Sequence, residues 1–229
     1  MIRAIFFDMG GTLDGGVHWL ERFLALYAER GIELPRETIR LAFDAAELRS
    51  TTDTEIAETD LTAMVALHVK WQMAHLQLTD PGLAQRLVEK FVAPMRIAAA
   101  ANRQLLADLI ARGFQLGVVS NGCGNVSKLC ADFGYAPYLS VIIDSRRVGL
   151  YKPDPAIFIH AAKEVGREPE TILMVGDSLA RDVRPAKAIG MKTAWLQSDD
   201  AEQSDEADFN LHELAELPGL LTMPACVTV

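Results

Sequence analysis

The chain has 229 residues, half of them hydrophobic, which is enough for one core or for a core domain with a smaller subdomain. Its 22 basic and 31 acidic residues give a formal net charge of −9 without a basic block, which argues against nucleic acid or an anionic membrane surface as a partner. Three scattered cysteines suit a reducing compartment rather than a disulfide framework or a zinc cluster. The N-terminal apolar run is too short for a signal peptide or a membrane span, so we expect a cytoplasmic protein.

The first predicted element is a buried strand. Residues 4–7 form an apolar run, and Asp8 follows directly at the start of a loop that contains Gly10 and Gly11. A carboxylate at the end of a buried strand, above a glycine turn, is placed for chemistry.

Residues 15–95 show helical patterns without convincing strands. The helices are predicted at 17–30, 35–49, 54–78 and 82–92, and prolines 35 and 81 fit first turns. We interpret this region as an all-helical subdomain that closes over the strand ends and selects the substrate. On its third helix, Met64 and Trp71 are expected to pack the subdomain, and His68 and His75 are expected on a polar or semi-buried face. A role in lining a substrate pocket is the alternative.

From about residue 100 the chain repeats one pattern, in which an amphipathic helix ends at a glycine and a short apolar strand follows. The glycines are Gly113, Gly134, Gly166 and Gly190, and the strands are predicted at 116–120, 141–144, 172–175 and 193–196. This alternation predicts an α/β fold with a doubly wound parallel (Rossmann-like) sheet, formed by residues 1–14 and 96–229. Residues after 199 are interpreted as a last helix and a tail.

Ligands bind at the carboxyl ends of the strands in such a sheet. Four polar residues fall at these ends, namely Asp8, Ser120, Asp144 and Asp177. The chemistry is therefore expected among them.

Three further segments carry candidate functional residues. Ser120-Asn121-Gly122 follows a strand, Lys152 precedes Pro-Asp-Pro, and Gly176-Asp177 is followed after four residues by Asp182. Taken singly, the first is compatible with a simple turn and the second with a solvated lysine before a helix.

Together with the segment around Asp8, these motifs resemble, in order, the four motifs of the haloacid dehalogenase-like (HAD) superfamily. The resemblance covers essentially the whole chain and implies that the helical insertion is a cap. It implies that Asp8 is a nucleophile paired with Lys152, and that Asp182 holds Lys152 or a metal-bound water. The implied phosphoryl-binding residues are Thr12, Ser120, Asn121 and Gly122. The implied magnesium ligands are Asp8, the main-chain carbonyl of Gly10, and Asp177.

Gly10 departs from the family pattern, because phosphatases of the superfamily usually carry a second aspartate there. That aspartate performs acid and base catalysis, a step worth ~10²- to 10⁴-fold. By sequence proximity, Asp14, His18 and Glu21 are candidates to replace it.

We therefore predict a magnesium-dependent phosphatase that acts on a small phosphorylated metabolite through an aspartyl-phosphate on Asp8. A catalytically attenuated HAD-fold binding protein is the alternative. Lower-ranked branches of the superfamily cleave C–halogen bonds, usually with Tyr at position 10 and without a Gly-Asp metal motif, or C–P bonds. The latter branch takes a Schiff-base lysine from the cap, for which only Lys70 and Lys90 are available.

The letters Gly176-Asp177-Ser178-Leu179 also match the signature of the GDSL esterases, in which the serine is the nucleophile. The position in the chain and the spacing of Asp208 and His212 do not fit that family. Ser178 is instead predicted to cap the helix that follows it. The oligomeric state is left open by the sequence.

Overall fold

A six-stranded parallel sheet forms the centre of the computed structural model, which describes residues 1–197 and 203–221. The strand order is β3-β2-β1-β4-β5-β6. The strands are β1 Ala4–Phe7, β2 Gln115–Ser120, β3 Leu139–Asp144, β4 Ile172–Gly176, β5 Lys192–Leu196 and β6 Phe209–Leu211. The five paired neighbours are all parallel, which confirms the predicted α/β class.

The register of the central strands aligns their carboxyl ends. Phe7 at the end of β1 pairs with Val118 of β2 on one side and with Val175 of β4 on the other. The residues that follow these strands therefore reach the same edge of the sheet.

Helices cover both faces of the sheet because successive side chains of a strand point to opposite sides. Ile5 and Phe7 belong to a hydrophobic cluster with the helices that precede β2, whereas Ala4 and Phe6 pack in a second cluster with the helix at 156–165. The α-helices are α1 Trp19–Glu29, α2 Arg36–Thr52, α3 Leu61–His75, α4 Pro81–Ala111, α5 Val126–Asp132, α6 Ser145–Val148, α7 Ala156–Val165, α8 Arg184–Ala188 and α9 Leu217–Leu220. Short helical turns occur at Met9–Leu13, Ile56–Glu58, Ala136–Tyr138, Pro169–Thr171, Leu179–Val183 and Leu214–Glu216.

Two predicted helices have different limits in the structure. The one predicted at 54–78 is divided, because Asp60 caps α3 by accepting a hydrogen bond from Ala63 N at 2.8 Å. The one predicted at 82–92 is part of α4, which runs for 31 residues and includes Pro94. The predicted boundary between the cap and the core at residue 95 therefore falls inside a continuous helix.

The four glycines predicted to follow helices all have positive φ angles, which confirms the helix–glycine–strand pattern. The angles are 88° at Gly113, 73° at Gly134, 66° at Gly166 and 90° at Gly190. The interpretation of the region after residue 199 was incomplete, because β6 lies there and pairs with β5. A strand of three residues is too short to show a hydrophobic period. The part of the predicted tail from 222 to 229 lies outside the described residues.

Within residues 1–197 and 203–221, none of the helices combines the length and the apolarity needed to cross a bilayer.

Candidate active site

The loop after β1 brings Asp8 to the edge of the sheet and then turns back sharply. Asp8 N donates a hydrogen bond to Val175 O at 2.9 Å, which continues the pairing of β1 with β4. At Gly11 the φ angle is 79°, and a Cβ atom would lie 2.2 Å from Oδ2 of Asp177. Only glycine allows the loop to approach the end of β4 this closely.

Position 10 has different requirements. Gly10 has φ −74° and ψ 122°, which any residue can adopt, and a Cβ atom there would meet nothing within 4 Å. The backbone would therefore accept a side chain at the position where the sequence lacks the second aspartate.

Lys152 lies between two buried carboxylates. Its Nζ atom donates to Oδ1 of Asp8 and to Oδ1 of Asp182, in both cases at 2.6 Å. The exposed fractions are 5% for Lys152, 7% for Asp8 and 1% for Asp182. Oδ2 of Asp182 also accepts a hydrogen bond from Ser178 N at 3.1 Å. The lysine thus neutralises part of a charge cluster that would be costly to bury alone.

The negative charge of the clustered carboxylates exceeds the positive charge of Lys152. One oxygen each from Asp8, Asp177 and Asp182 lie within 4.8 Å of one another. Oδ1 of Asp177 is buried without a hydrogen-bond partner. Burial, followed by the charge of Asp182, raises the pKa of Asp177 to about 6. Burial likewise raises the pKa of Asp8, against the opposing effect of Lys152. An orphaned carboxylate oxygen among hard oxygen donors fits a divalent cation such as Mg²⁺.

Ser120 ends β2, and Asn121 in the loop that follows forms a structural clamp. The Asn121 side chain exchanges two hydrogen bonds with the main chain of Lys152: Nδ2 donates to Lys152 O, and Lys152 N donates to Oδ1, each at 2.8 Å. Asn121 therefore fixes the segment that carries the lysine. The sequence did not reveal this contact, because its partners are 31 positions apart.

Asp144, at the end of β3, shapes the same loop. Its Oδ2 atom accepts hydrogen bonds from Gly124 N at 2.9 Å and Val126 N at 3.1 Å, and its Oδ1 atom accepts one from Arg146 N at 3.0 Å. A Cβ atom at Gly122 would lie 2.7 Å from Oδ2. Asp144 was grouped with the residues expected to carry chemistry, and its contacts instead assign it to loop structure.

A cavity of about 150 Å³ lies between the sheet edge and the helices that precede β2. The sequence-predicted residues that line it are Asp8, Gly10, Ser120, Asn121, Gly122, Lys152 and Asp182. Thr12 and Asp177 lie outside its wall, and the Thr12 hydroxyl is buried without a partner.

The helical side of the cavity is largely apolar. It includes Trp19, Phe43 and Met64, together with the polar residues Glu47 and His68. Met64 and His68 therefore line the cavity, which was the alternative to simple packing. Trp71 does not line it and packs instead below the Arg49 guanidinium, 4.9 Å from the ring centroid.

Ser178 acts as a helix cap, as predicted. Its hydroxyl accepts a hydrogen bond from Arg181 N at 3.2 Å. His212 contacts Gln197, with 2.9 Å between the two Nε2 atoms. Neither contact forms part of a serine esterase triad.

The model of the haloacid dehalogenase-like hydrolase family matches residues 2–190. The chain belongs to this family. As a HAD-like hydrolase it is an enzyme, and the family match confirms the resemblance on which the four motifs were assigned.

Three relatives show the range of similarity of this HAD-like hydrolase. It is 32% identical to Protein CbbY of Cereibacter sphaeroides over 96% of both chains. It is 33% identical to a phosphoserine phosphatase of Thermus thermophilus, over 49% of this chain and 46% of that protein. Several other curated phosphatases are likewise matched over about half of their length. Among solved structures, a HAD phosphatase from Thermococcus onnurineus is 25% identical with a TM-score of 0.59, covering 98% of this chain and 100% of that one.

Proposed function

We propose that the protein is a magnesium-dependent phosphatase that acts on a small phosphorylated metabolite through an aspartyl-phosphate on Asp8. The observation that carries the proposal is the contact of Asp8 with Lys152 at the floor of a cavity large enough for a small molecule. The phosphoserine phosphatase of Thermus thermophilus and the HAD phosphatase of Thermococcus onnurineus support the choice of a phosphoryl substrate.

The first step forms a bond between a carboxylate oxygen of Asp8 and phosphorus while the bond from phosphorus to the leaving oxygen breaks. Lys152 holds Asp8 in place and offsets negative charge that develops on the phosphoryl oxygens. The Ser120 hydroxyl, with the main chain at Asn121 and Gly122, holds those oxygens. In the second step water attacks phosphorus, which releases phosphate and restores Asp8.

Asp8, Asp177 and the main-chain carbonyl of Gly10 would hold the magnesium ion. When bound, the ion offsets the charge of the phosphoryl group and of the carboxylates. Asp182 would keep Lys152 directed at Asp8, because it accepts a hydrogen bond from the same ammonium group.

The other branches of the family fit the site less well. Lys70 and Lys90, the lysines available for Schiff-base chemistry, are both exposed and do not line the cavity. The carboxylate of Asp177, on the Gly-Asp segment that C–halogen hydrolases do not use, approaches Asp8 here. A pure binding protein needs no nucleophile, whereas Asp8 is held at 2.6 Å from Lys152.

The proposal is tested with a panel of small phosphate compounds, assayed by release of inorganic phosphate with magnesium and with excess chelator. We expect turnover by the wild type with magnesium, and loss of turnover in Asp8→Asn. Asp108→Asn changes an exposed carboxylate of α4 that does not line the cavity, and it serves as the matched control. Turnover that survives Asp8→Asn would refute the proposal.

A further inference from the structure

We infer that the cavity supplies no proton to the leaving oxygen, and that its substrates are phosphate compounds whose leaving group is stable as an anion. Acyl phosphates and aryl or enol phosphates form this class. The inference rests on the proposed phosphatase function and concerns the described residues. It starts from Gly10, which lines the same cavity as Asp8 and where a Cβ atom would meet open space.

Asp14 is buried at the cavity wall, and both of its oxygens accept hydrogen bonds. Oδ1 accepts hydrogen bonds from Gly11 N at 2.8 Å and from the Arg22 guanidinium at 3.4 Å, and Oδ2 accepts one from Trp19 Nε1 at 2.6 Å. Burial raises the pKa of Asp14 and Arg22 opposes the increase. All three neighbours are donors, and one is a guanidinium, so these contacts favour the ionised carboxylate over the protonated acid. Asp14 therefore holds the loop after Asp8 in shape.

His18 also lines the cavity, and its hydrogen bond fixes the wrong tautomer for proton transfer. Its Nδ1 atom accepts a hydrogen bond from Leu20 N at 3.2 Å, as the cap of α1. A neutral ring in this position carries its proton on Nε2, and loss of that proton would leave an imidazolate. Burial and then Arg181 lower the pKa of His18, against the opposing charges of Glu47 and Glu21, so the neutral ring is favoured. It can donate a hydrogen bond but cannot release the proton.

The Glu21 side chain is engaged outside the cavity. Its carboxylate forms an ion pair with the Arg36 guanidinium, and this contact lowers the pKa of Glu21. The Glu21 side chain is 47% exposed and does not line the cavity. None of the three residues near Gly10 in the sequence thus replaces the missing aspartate.

His68 links Gln72 to Glu47 in a chain of hydrogen bonds on the helical side. Gln72 Nε2 lies 2.7 Å from Nδ1 of His68, and Nε2 of His68 lies 2.9 Å from Oε1 of Glu47. Because an amide nitrogen only donates, the imidazole proton lies on Nε2 and is directed at Glu47. Glu47 thus receives a hydrogen bond on the side of the cavity formed by the cap.

Three further groups at the wall do not release a proton to the substrate. The Cys123 thiol donates to the Ser50 hydroxyl, with sulfur and oxygen 3.2 Å apart, and burial raises its pKa to about 11. Lys152 donates to Asp8 and Asp182, and loss of its proton would leave both carboxylates without neutralisation. The Arg181 guanidinium does not release a proton in proteins.

The consequence is a steep dependence of rate on the leaving group. Without an acid, the leaving oxygen departs as an anion. The conjugate acid has a pKa of about 4 for a carboxylic acid and about 10 for a phenol. For an alkanol it is far higher, close to that of water. An acyl or aryl phosphate therefore reacts readily and an alkyl phosphate does not.

The test compares kcat/KM for acetyl phosphate, phenyl phosphate and ethyl phosphate in the wild type and in Gly10→Asp. We expect the wild type to hydrolyse acetyl and phenyl phosphate, and ethyl phosphate at least ~10²-fold more slowly. Gly10→Asp should raise the ratio of kcat/KM for ethyl phosphate to kcat/KM for acetyl phosphate by ~10² or more, because the new carboxyl group supplies the proton. Gly219→Asp, at an exposed glycine without neighbours for a Cβ atom, controls for the added charge.

Several results would overturn the inference. One is wild-type hydrolysis of ethyl phosphate at a rate close to that of acetyl phosphate, and another is an unchanged ratio in Gly10→Asp. Selective loss of ethyl phosphate turnover in Glu47→Gln, Cys123→Ala or His18→Asn would identify the acid directly. His18→Asn retains a capping side chain and so preserves the start of α1.

A result that refutes the proposed phosphatase function differs from one that refutes only this inference. Loss of acetyl phosphate turnover in Asp8→Asn supports the phosphatase whatever the result with ethyl phosphate. If no compound is turned over by any variant, the phosphatase itself is refuted, and this inference with it.

Discussion

Nζ of Lys152 lies 2.6 Å from Oδ1 of Asp8, although the two residues are 144 positions apart in the chain. The contact is buried, and a second carboxylate, that of Asp182, shares the same ammonium group. The lysine therefore balances charge in the resting site, and it is in place for the negative charge that the proposed phosphoryl transfer would develop.

Lys152→Met should lower kcat by about 10³-fold, since it removes the principal cation that contacts Asp8. It should also lower the free energy of unfolding by about 3 kcal/mol, because two buried carboxylates lose their partner. Both effects are measured by steady-state kinetics and urea denaturation. Addition of Asp182→Asn should recover part of the stability but none of the activity. Recovery of both would contradict the assigned role.

Gly11→Ala and Gly10→Ala form a matched pair of substitutions in the same loop. The first places a methyl group 2.2 Å from Oδ2 of Asp177 at a φ angle of 79°, and should lower the free energy of unfolding by about 1–3 kcal/mol and weaken magnesium binding. The second meets open space at an ordinary φ angle and should change stability by less than about 0.5 kcal/mol. Thermal denaturation with and without magnesium measures both. Equal effects would contradict the loop geometry.

Asp177→Asn should stabilise the metal-free protein at pH 7. The folded-state pKa of Asp177 is about 6 and the ordinary value is 3.8, so the folded state binds more protons between these values and stability falls as pH rises from 3.8 to 6. The cost at pH 7 is of the order of 2 kcal/mol and is absent in the amide. In chelator, we expect Asp177→Asn to raise Tm by about 4 °C at pH 7 and by much less at pH 4.

Magnesium provides the complementary measurement for the same variant. It should raise the Tm of the wild type, because a ligand that binds only the folded state stabilises it. It should leave the Tm of Asp177→Asn nearly unchanged. An equal magnesium-dependent shift of Tm in both proteins would show that Asp177 does not bind the metal ion.

Asp144→Asn should loosen the loop that follows β2. The amide nitrogen of asparagine cannot accept the hydrogen bonds of main-chain N–H groups, of which Gly124 N and Val126 N share one Asp144 oxygen. We expect a loss of about 1–3 kcal/mol in urea denaturation and a higher KM. Asp154→Asn, at an exposed carboxylate that accepts a single hydrogen bond from Ala156 N, is the control and should lose less than about 1 kcal/mol.

Local patterns determined most of the architecture. The apolar runs and the glycines that end helices specify five of the strands and the order of helices between them, because periodicity and left-handed backbone depend on near neighbours in the chain. The motifs likewise predicted Asp8, Ser120 and Asp177 at the ends of strands, and Lys152 by its Lys-Pro-Asp-Pro context. β6 was missed because three residues are too few to show a period. The continuity of α4 through Pro94 was missed because tertiary packing overrides a helix breaker.

The sequence by itself thus determined the α/β fold class and the residues that gather at one edge of the sheet. Only the tertiary structure decided what each of them contacts: that Asp14, His18 and Glu21 are engaged elsewhere, that Asp144 and Asn121 shape loops, and that Gly10 borders open space. The physical reason is that a carboxylate or an imidazole acts as acid, ligand or cap according to the donors around it, and crossover connections bring those donors from distant parts of the chain.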